Sequence, residues 1–278
     1  MIATEYMREL ARGQQAAPQE NPQNHSPERH WMGRGSTTQC TIRTPPTTTQ
    51  NHRNKKGLQK RANIKIGTVN INGLHTLTEG PCTFEKWAEI NATMKKEKIA
   101  ILAVQKTHLD EQNLEAIHQS LGKRLRIINS PLEDNPRTST RVAFVLNKVL
   151  ININKLESHE LIKGRALAMK LTWKNEEETL LINVYAPNRR SDHKDFWQKI
   201  ENERIFKRLR KPDFVLGDFN LMEEPIDRFL AKHNNQGAVA ALWEFRLNTG
   251  VQDKWRHTFP KTREYTYRSA ANEQQVKS

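Results

Sequence analysis

Carboxamide and carboxylate side chains follow apolar, strand-like runs at several points in the chain. Asn70 and Asn72 flank an apolar residue after one such run, and Asp218 and Asn220 do so after another. Side chains two positions apart on a strand share a face, so each pair projects together. Oxygen ligands of this kind suit a hard cation such as Mg²⁺, and amides donate to phosphate oxygens or orient a water molecule. The chemistry indicated is phosphodiester hydrolysis.

Two further polar clusters follow strand-like runs, one over residues 105–108 and one over residues 185–188. The second cluster adds the phenol of Tyr185 and the amide of Asn188. Ordinary turn chemistry, in which Asn and Asp bond to their own backbone, explains any single cluster. Four clusters together favour a shared active site, because functional residues concentrate where rigid strands meet exposed loops.

The charge of the chain favours an anionic partner. Its 278 residues include 45 Lys and Arg against 31 Asp and Glu, a formal net charge of +14, which suits nucleic acid. The longest apolar runs, such as residues 99–104, fall far below the roughly 18 residues that cross a bilayer, so we expect no membrane partner. Charged residues near the N-terminus argue against secretion. Cys40 and Cys82 form no zinc or disulfide pattern, and the Gly-rich nucleotide loop and the nucleophile elbow are absent from the sequence.

Residues 1–60 differ in composition from the rest of the chain. They are dominated by Gln, Asn, Thr, Pro and Ser. Such a segment buries too little apolar surface to offset an ordering cost of about 1–2 kcal/mol per residue, so we expect a disordered basic arm followed by one domain over residues 61–278. The arm ends in a basic cluster that is a nuclear-import signal, a phosphate-contacting tail or an ordinary solvated charge run. Its members are Arg53, Lys55, Lys56, Lys60 and Arg61.

After the arm, strand-like runs alternate with segments of helical period. The pattern predicts strands over residues 64–71, 99–104, 125–129, 141–146, 166–173, 179–185 and 214–216. It predicts helices over residues 83–98, 110–121, 192–209 and 236–247. Adjacent strands in the middle favour a layered α/β domain over a simple doubly wound one. Helical spacing assigns Trp87, Phe196, Trp197, Ile200, Ile205 and Trp243 to the core.

From about Asn63 onward, the chain resembles the endonuclease/exonuclease/phosphatase superfamily. The resemblance rests on the order and separation of Asn70-Ile71-Asn72-Gly73, Tyr185-Ala186-Pro187-Asn188 and Gly217-Asp218-Phe219-Asn220. The late segments Asp253-Lys254-Trp255-Arg256 and Tyr265-Thr266-Tyr267 resemble the apurinic-type endonuclease domain of non-LTR, LINE-like retrotransposons.

The resemblance implies a two-sheet β-sandwich flanked by helices in four layers. It also implies a Mg²⁺- or Mn²⁺-dependent endonuclease that nicks DNA in the nucleus for retrotransposition. By position, it assigns Asn70 and Asn72 to the metal and phosphate, Tyr185 to the scissile phosphate, Asn188 to the pocket wall, Asp218 to water activation and Asn220 to charge stabilisation.

The sequence departs from this family in two places. Lys106 stands where the resemblance implies a metal-binding glutamate, between Gln105 and Thr107. An ammonium cannot ligate Mg²⁺, and two charges 4 Å apart interact by about 4 kcal/mol at an effective dielectric near 20, so metal binding should be weakened. After Tyr267 the family continues into strands with an aspartate and a histidine that this sequence lacks. We therefore expect a C-terminally truncated domain without its final strands.

These departures leave the enzymatic activity open. The retained amides and Asp218 favour a working endonuclease. The change at Lys106, with the net charge of +14, favours a catalytically impaired protein that binds nucleic acid without cleaving it. A degenerate retroelement fragment is the third interpretation.

Overall fold

A computed structural model describes residues 64–71, 82–130, 141–173, 176–227 and 235–265, together with the backbone of residues 267–268 and 275–276. Its longer strands form two four-stranded sheets, and helices flank both. This arrangement confirms the predicted two-sheet α/β sandwich. The predicted arm, its basic cluster and Asn72 lie outside the described residues.

The first sheet has the strand order β1-β2-β4-β3. β1 and β2 are parallel, whereas β4 is antiparallel to both of its neighbours. The strands are β1 (Lys65–Asn70), β2 (Ile99–Gln105), β3 (Leu125–Asn129) and β4 (Val142–Asn147).

The second sheet runs β5-β6-β7-β8, and its last two strands are parallel. Its strands are β5 (Leu156–Ile162), β6 (Ala166–Thr172), β7 (Glu178–Tyr185) and β8 (Phe214–Asp218). A separate short antiparallel pair joins β9 (Tyr267–Arg268) to β10 (Gln275–Val276).

Five α-helices lie in the described part of the chain. They are α1 (Cys82–Lys96), α2 (Glu111–Leu121), α3 (His193–Phe206), α4 (Gln236–Thr249) and α5 (Lys254–Thr258). Local chemistry sets several of their ends. The Asp110 carboxylate accepts from the backbone N–H of Asn113 at 2.7 Å and caps the N-terminus of α2. Gly250, in the left-handed conformation, ends α4. None of these helices is long and apolar enough to cross a membrane.

Apolar side chains fill three layers between and around the sheets. On β2, Leu102 and Val104 pack towards α1 and α2, whereas Ile101 and Ala103 face the second sheet. Residues of β6 and β7 in turn pack against Trp197 of α3 and against α4. Because β2 is buried on both faces, its sequence is a continuous apolar run rather than an alternating one.

Several details of the predicted elements are wrong, and the short helix α5 was also not predicted. The strand β5 was not predicted, because its sequence, LESHELI, carries the polar residues of a partly exposed edge strand. Ile205 and Trp243 were assigned to the core, but they are 58 % and 60 % exposed. Ile205 follows the buried Ile200 by five positions, a rotation of about 140° around a helix of 3.6 residues per turn. Trp243 likewise lies one position after the buried Leu242 and faces away from it.

A network of buried amides joins the two sheets. Asn183 of β7 donates through Nδ2 to the carbonyl oxygens of Val104 at 3.1 Å and Ala143 at 2.8 Å, both in the first sheet. Its Oδ1 accepts from Nε2 of Gln105 at 2.7 Å, and Gln105 also donates to the Thr68 hydroxyl at 3.1 Å. Asn183 is fully buried, so these bonds form where unpaired polar groups would be costly.

Substitution of Asn183 by leucine should destabilise the fold strongly. The side chain keeps the same branching and number of heavy atoms, but the buried Gln105 amide and two carbonyl groups lose a partner. We expect a loss of about 2–4 kcal/mol in the free energy of unfolding, measured by urea denaturation. The same substitution at the exposed Asn202 should change it by less than about 0.5 kcal/mol. Equal effects at both positions would contradict a role for the inter-sheet network.

Candidate active site

The ends of β1, β2, β7 and β8 meet at one edge of the sandwich. Asn70 pairs with Gln105 at the end of the parallel strands β1 and β2, and Tyr185 pairs with Asp218 at the end of β7 and β8. Nδ2 of Asn70 donates to Oδ2 of Asp218 at 2.7 Å and so joins the two sheets at this edge. Residues separated by 148 positions in sequence are therefore in direct contact.

The Asp218 carboxylate is held by hydrogen bonds at both oxygens. Oδ2 accepts from Asn70, and Oδ1 accepts from the backbone N–H of Asn220 at 3.0 Å. Asn220 has a φ of 47°, in the left-handed region that asparagine tolerates better than most residues. These bonds fix the carboxylate in one orientation, as expected of a group that must act on a bound molecule.

The loops that follow β7 and β8 are tied to each other. Nδ2 of Asn220 donates to the Ala186 carbonyl at 2.7 Å, and the Ala186 N–H donates to the Asp218 carbonyl at 2.9 Å. Gly217 permits this approach, because its φ is +137° and a Cβ atom would lie 2.0 Å from the Val184 carbonyl oxygen. The Asn220 side chain thus holds the neighbouring loop.

Tyr185 forms the floor of the site, with only 3 % of its surface exposed. Its hydroxyl donates to Oδ1 of the exposed Asn188 at 3.3 Å. This bond engages the oxygen of the Asn188 amide and orients the side chain. Tyr185 therefore supports Asn188, a relation that sequence spacing did not predict.

Lys106 reaches the same cluster. Its Nζ lies 5.3 Å from the centroid of the Tyr185 ring, within the range of a cation-π interaction. Its φ of 56° is in the left-handed region, which is uncommon for a lysine. The ammonium thus lies beside the predicted site residues rather than out in solvent.

Two residues that the sequence analysis did not single out also support the site. The Arg165 guanidinium lies 5.5 Å from the centroid of the Tyr185 ring and donates to the Tyr185 carbonyl at 3.3 Å. Nε2 of the buried His193 lies 2.9 Å from the Pro187 carbonyl, in the loop that carries Asn188. Neither residue belongs to a strand-end cluster, so spacing along the sequence gave no reason to select it.

The strand-end cluster, which consists of Asn70, Lys106, Tyr185, Asn188, Asp218 and Asn220, suits a divalent cation poorly. Asp218 is the one carboxylate in it, and both of its oxygens already accept hydrogen bonds. No group of three or more His, Cys, Asp or Glu side chains able to hold a metal ion occurs among the described residues. Asn72, the second predicted metal residue, lies outside them. Mg²⁺ usually needs one or two carboxylates with its remaining waters, and an ammonium nearby opposes its charge.

Comparison with solved structures identifies the fold. The AP endonuclease of Archaeoglobus fulgidus aligns over 75 % of this chain and 79 % of its own, with a TM-score of 0.53 and 17 % identity. The 3′–5′ exonuclease NExo of Neisseria meningitidis aligns over 75 % and 80 %, with a TM-score of 0.54 and 15 % identity. The chain shares the fold of these two nucleases.

The likeness extends to this nuclease fold and no further. The endonuclease domain of TRAS1, a telomere-specific non-LTR retrotransposon, aligns over 66 % of this chain and 70 % of its own, with a TM-score of 0.44 and 12 % identity. The sequence matches no protein-family model, and a search of curated proteins found no significant match.

Two histidines should make the stability of the fold depend on pH. Burial lowers the pKa of His193, and burial, followed by the nearby Arg126, lowers the pKa of His118. In the unfolded chain both protonate near their ordinary pKa of about 6.5. Below that pH the unfolded state binds more protons than the folded state, so the free energy of unfolding decreases as the pH falls.

We therefore expect the unfolding temperature to drop between pH 7.5 and pH 5.5, as measured by differential scanning fluorimetry. The double variant His118→Gln/His193→Gln should show a smaller drop, because glutamine does not titrate. His257→Gln, at an exposed position, is the matched control and should follow the unmodified protein. An unchanged pH dependence in the double variant would exclude these two groups as its source.

Proposed function

We propose that the protein binds DNA at the strand-end cluster and hydrolyses a phosphodiester bond there. The observation that supports this most directly is the hydrogen bond from Asn70 to Asp218, which holds a carboxylate beside amide donors at one edge of a nuclease-type fold. A net charge of +14 favours a polyanionic substrate.

In this proposal, Asp218 accepts a proton from the attacking water while Asn70 and Asn220 keep its carboxylate in place. The water oxygen forms a bond to phosphorus, the bond to the leaving sugar oxygen breaks, and solvent protonates that oxygen. The Asn188 amide, oriented by the Tyr185 hydroxyl, donates to a phosphate oxygen, so that Tyr185 acts on the phosphate through Asn188. Such donors lower the barrier when they are already positioned for the charge that develops.

A second candidate is DNA binding without cleavage, and the position of Lys106 favours it. The ammonium lies 5.3 Å from the Tyr185 ring centroid, at the position where the resemblance implies a metal-binding glutamate. A cation there attracts phosphate and repels Mg²⁺. Binding would then be retained while hydrolysis lost the charge stabilisation that a metal supplies.

The sequence resemblance supports three narrower proposals. The enzyme uses Mg²⁺ or Mn²⁺ with weakened affinity, the nick serves insertion of a LINE-like element, and the protein acts in the nucleus. The arm residues Arg53, Lys55, Lys56, Lys60 and Arg61 would add phosphate contacts, but they lie outside the described part of the chain.

Nicking of supercoiled plasmid in the presence of Mg²⁺ or Mn²⁺ tests the hydrolytic proposal. Asp218→Ala should lower the rate by roughly 10²-fold or more, the usual contribution of a positioned general base. Asp195→Ala, at an exposed position on α3, should leave the rate unchanged. If the unmodified protein nicks no faster than Asp218→Ala yet binds DNA with a steep salt dependence, the second candidate replaces the first.

Lys106→Glu should convert the cluster to one that binds a divalent cation. The substitution changes the local charge by two units and adds a second carboxylate, so we expect Mg²⁺ affinity to rise roughly tenfold or more. Calorimetry and the Mg²⁺-dependent shift in unfolding temperature measure this without relying on activity.

Lys155→Glu is the matched control for the charge change. Lys155 is exposed, pairs with Glu176, and precedes β5 at the opposite end of the second sheet from the cluster. If both variants bind Mg²⁺ equally, Lys106 is not what weakens the metal site.

A further inference from the structure

Two cationic side chains, one from each sheet, lie near the ring of Tyr185. Lys106 follows β2 of the first sheet, and Arg165 precedes β6 of the second. Nζ of Lys106 and the guanidinium carbon of Arg165 lie 5.3 Å and 5.5 Å from the centroid of the Tyr185 ring. Both side chains are half-buried. An anion bound at this ring would be attracted by both charges, and partial burial would strengthen that attraction.

The backbone fixes Arg165 relative to Tyr185. Nη1 of Arg165 donates to the Tyr185 carbonyl at 3.3 Å, and the Tyr185 N–H donates to the Arg165 carbonyl at 2.8 Å. Burial lowers the pKa of Arg165 from its usual value, but a guanidinium stays protonated in proteins. The charge is therefore permanent and is held at one place.

From this geometry we propose that Lys106 and Arg165, together with Tyr185 and Asn188, form a phosphate site that binds one nucleic-acid backbone phosphate without a divalent cation. The two cations supply charge, and the Asn188 amide supplies a directed donor. Asp218, which pairs with Tyr185 across β7 and β8, limits the charge that the site accepts. Asp192, whose charge acts on Arg165, limits it further. A phosphodiester carries one negative charge and therefore suits the site better than a doubly charged phosphate.

The proposal rests on the proposed function, because it takes DNA as the ligand of the same cluster. It goes further in assigning Arg165 to binding and in making binding independent of metal. A free phosphate ion has the same recognition chemistry as a backbone phosphate, so the experiment must separate the two.

The test is fluorescence anisotropy of the full chain with a labelled DNA duplex in EDTA, over a range of salt concentrations. The unmodified protein should bind. Lys106→Gln and Arg165→Gln should each weaken binding by roughly tenfold at low salt and lower the slope of log affinity against log salt by about one. Lys155→Gln removes the same charge at the opposite end of the sheet and should weaken binding by about twofold or less.

Arg165→Lys is a control for loss of folding, because it keeps the positive charge and loses only the planar guanidinium. It should retain more affinity than Arg165→Gln while both unfold at similar temperatures. Competition with millimolar inorganic phosphate separates the two ligands. If phosphate displaces the duplex from the unmodified protein but not from Arg165→Gln, the site binds phosphate in general. If phosphate displaces the duplex from neither protein, the site is specific for the DNA backbone.

Two results would overturn the phosphate site. One is loss of duplex binding in EDTA, and the other is an effect of Lys106→Gln and Arg165→Gln no larger than that of Lys155→Gln. The proposed hydrolysis fails separately. If plasmid is never nicked but the two variants still weaken binding, the phosphate site stands and hydrolysis does not. If plasmid is nicked and the two variants bind DNA normally, the proposed hydrolysis stands and the phosphate site does not.

Discussion

The Asn183 side chain fixes how the two sheets meet, and the geometry of the candidate site depends on it. Its amide donates to Val104 and Ala143 and accepts from Gln105, all within a fully buried interface. Apolar contacts between sheets tolerate sliding, whereas a shifted register would leave these groups unpaired. Asn183 lies two positions before Tyr185, and Gln105 lies one position before Lys106. The buried amides therefore also fix the position of Tyr185 relative to Lys106 in the candidate site.

Three of the six residues other than glycine that have positive φ in the described part of the chain lie at the same edge. Lys106, His108 and Asn220 all have positive φ, with values of 56°, 50° and 47°. Such conformations cost of order 1 kcal/mol or more for residues other than glycine, and they persist where surrounding bonds hold them. Asn220 is held by the two bonds that also tie the Asp218 and Ala186 loops. The stable sandwich thus supports a strained edge, which is where a binding or catalytic role is expected.

The sequence predicted the elements that bury an apolar face and missed those that do not. The continuous apolar run of β2 and the strand β3 were predicted because burial dictates their composition. The edge strand β5 escaped prediction because Leu161 alone of its seven residues is fully buried. Alternation at strand ends selected Asn70 and Asp218, which the fold brings into contact. Arg165 and His193 act through contacts with backbone carbonyls of another segment, and such contacts leave no period in the sequence. The arm, Asn72 and the loss of final strands stay predictions.

The charge balance at the cluster, rather than the fold, decides what the site can do. A carboxylate-rich edge concentrates divalent cations, and phosphate then binds through the metal. In the phosphate site proposed above, the cations of Lys106 and Arg165 lie beside Tyr185 and attract phosphate directly. The hydrogen bonds from Asn70 and from the Asn220 N–H to the two oxygens of Asp218 hold that carboxylate in one orientation. The proposed phosphate binding and the proposed hydrolysis therefore depend on the same carboxylate, the first through its charge and the second through its orientation.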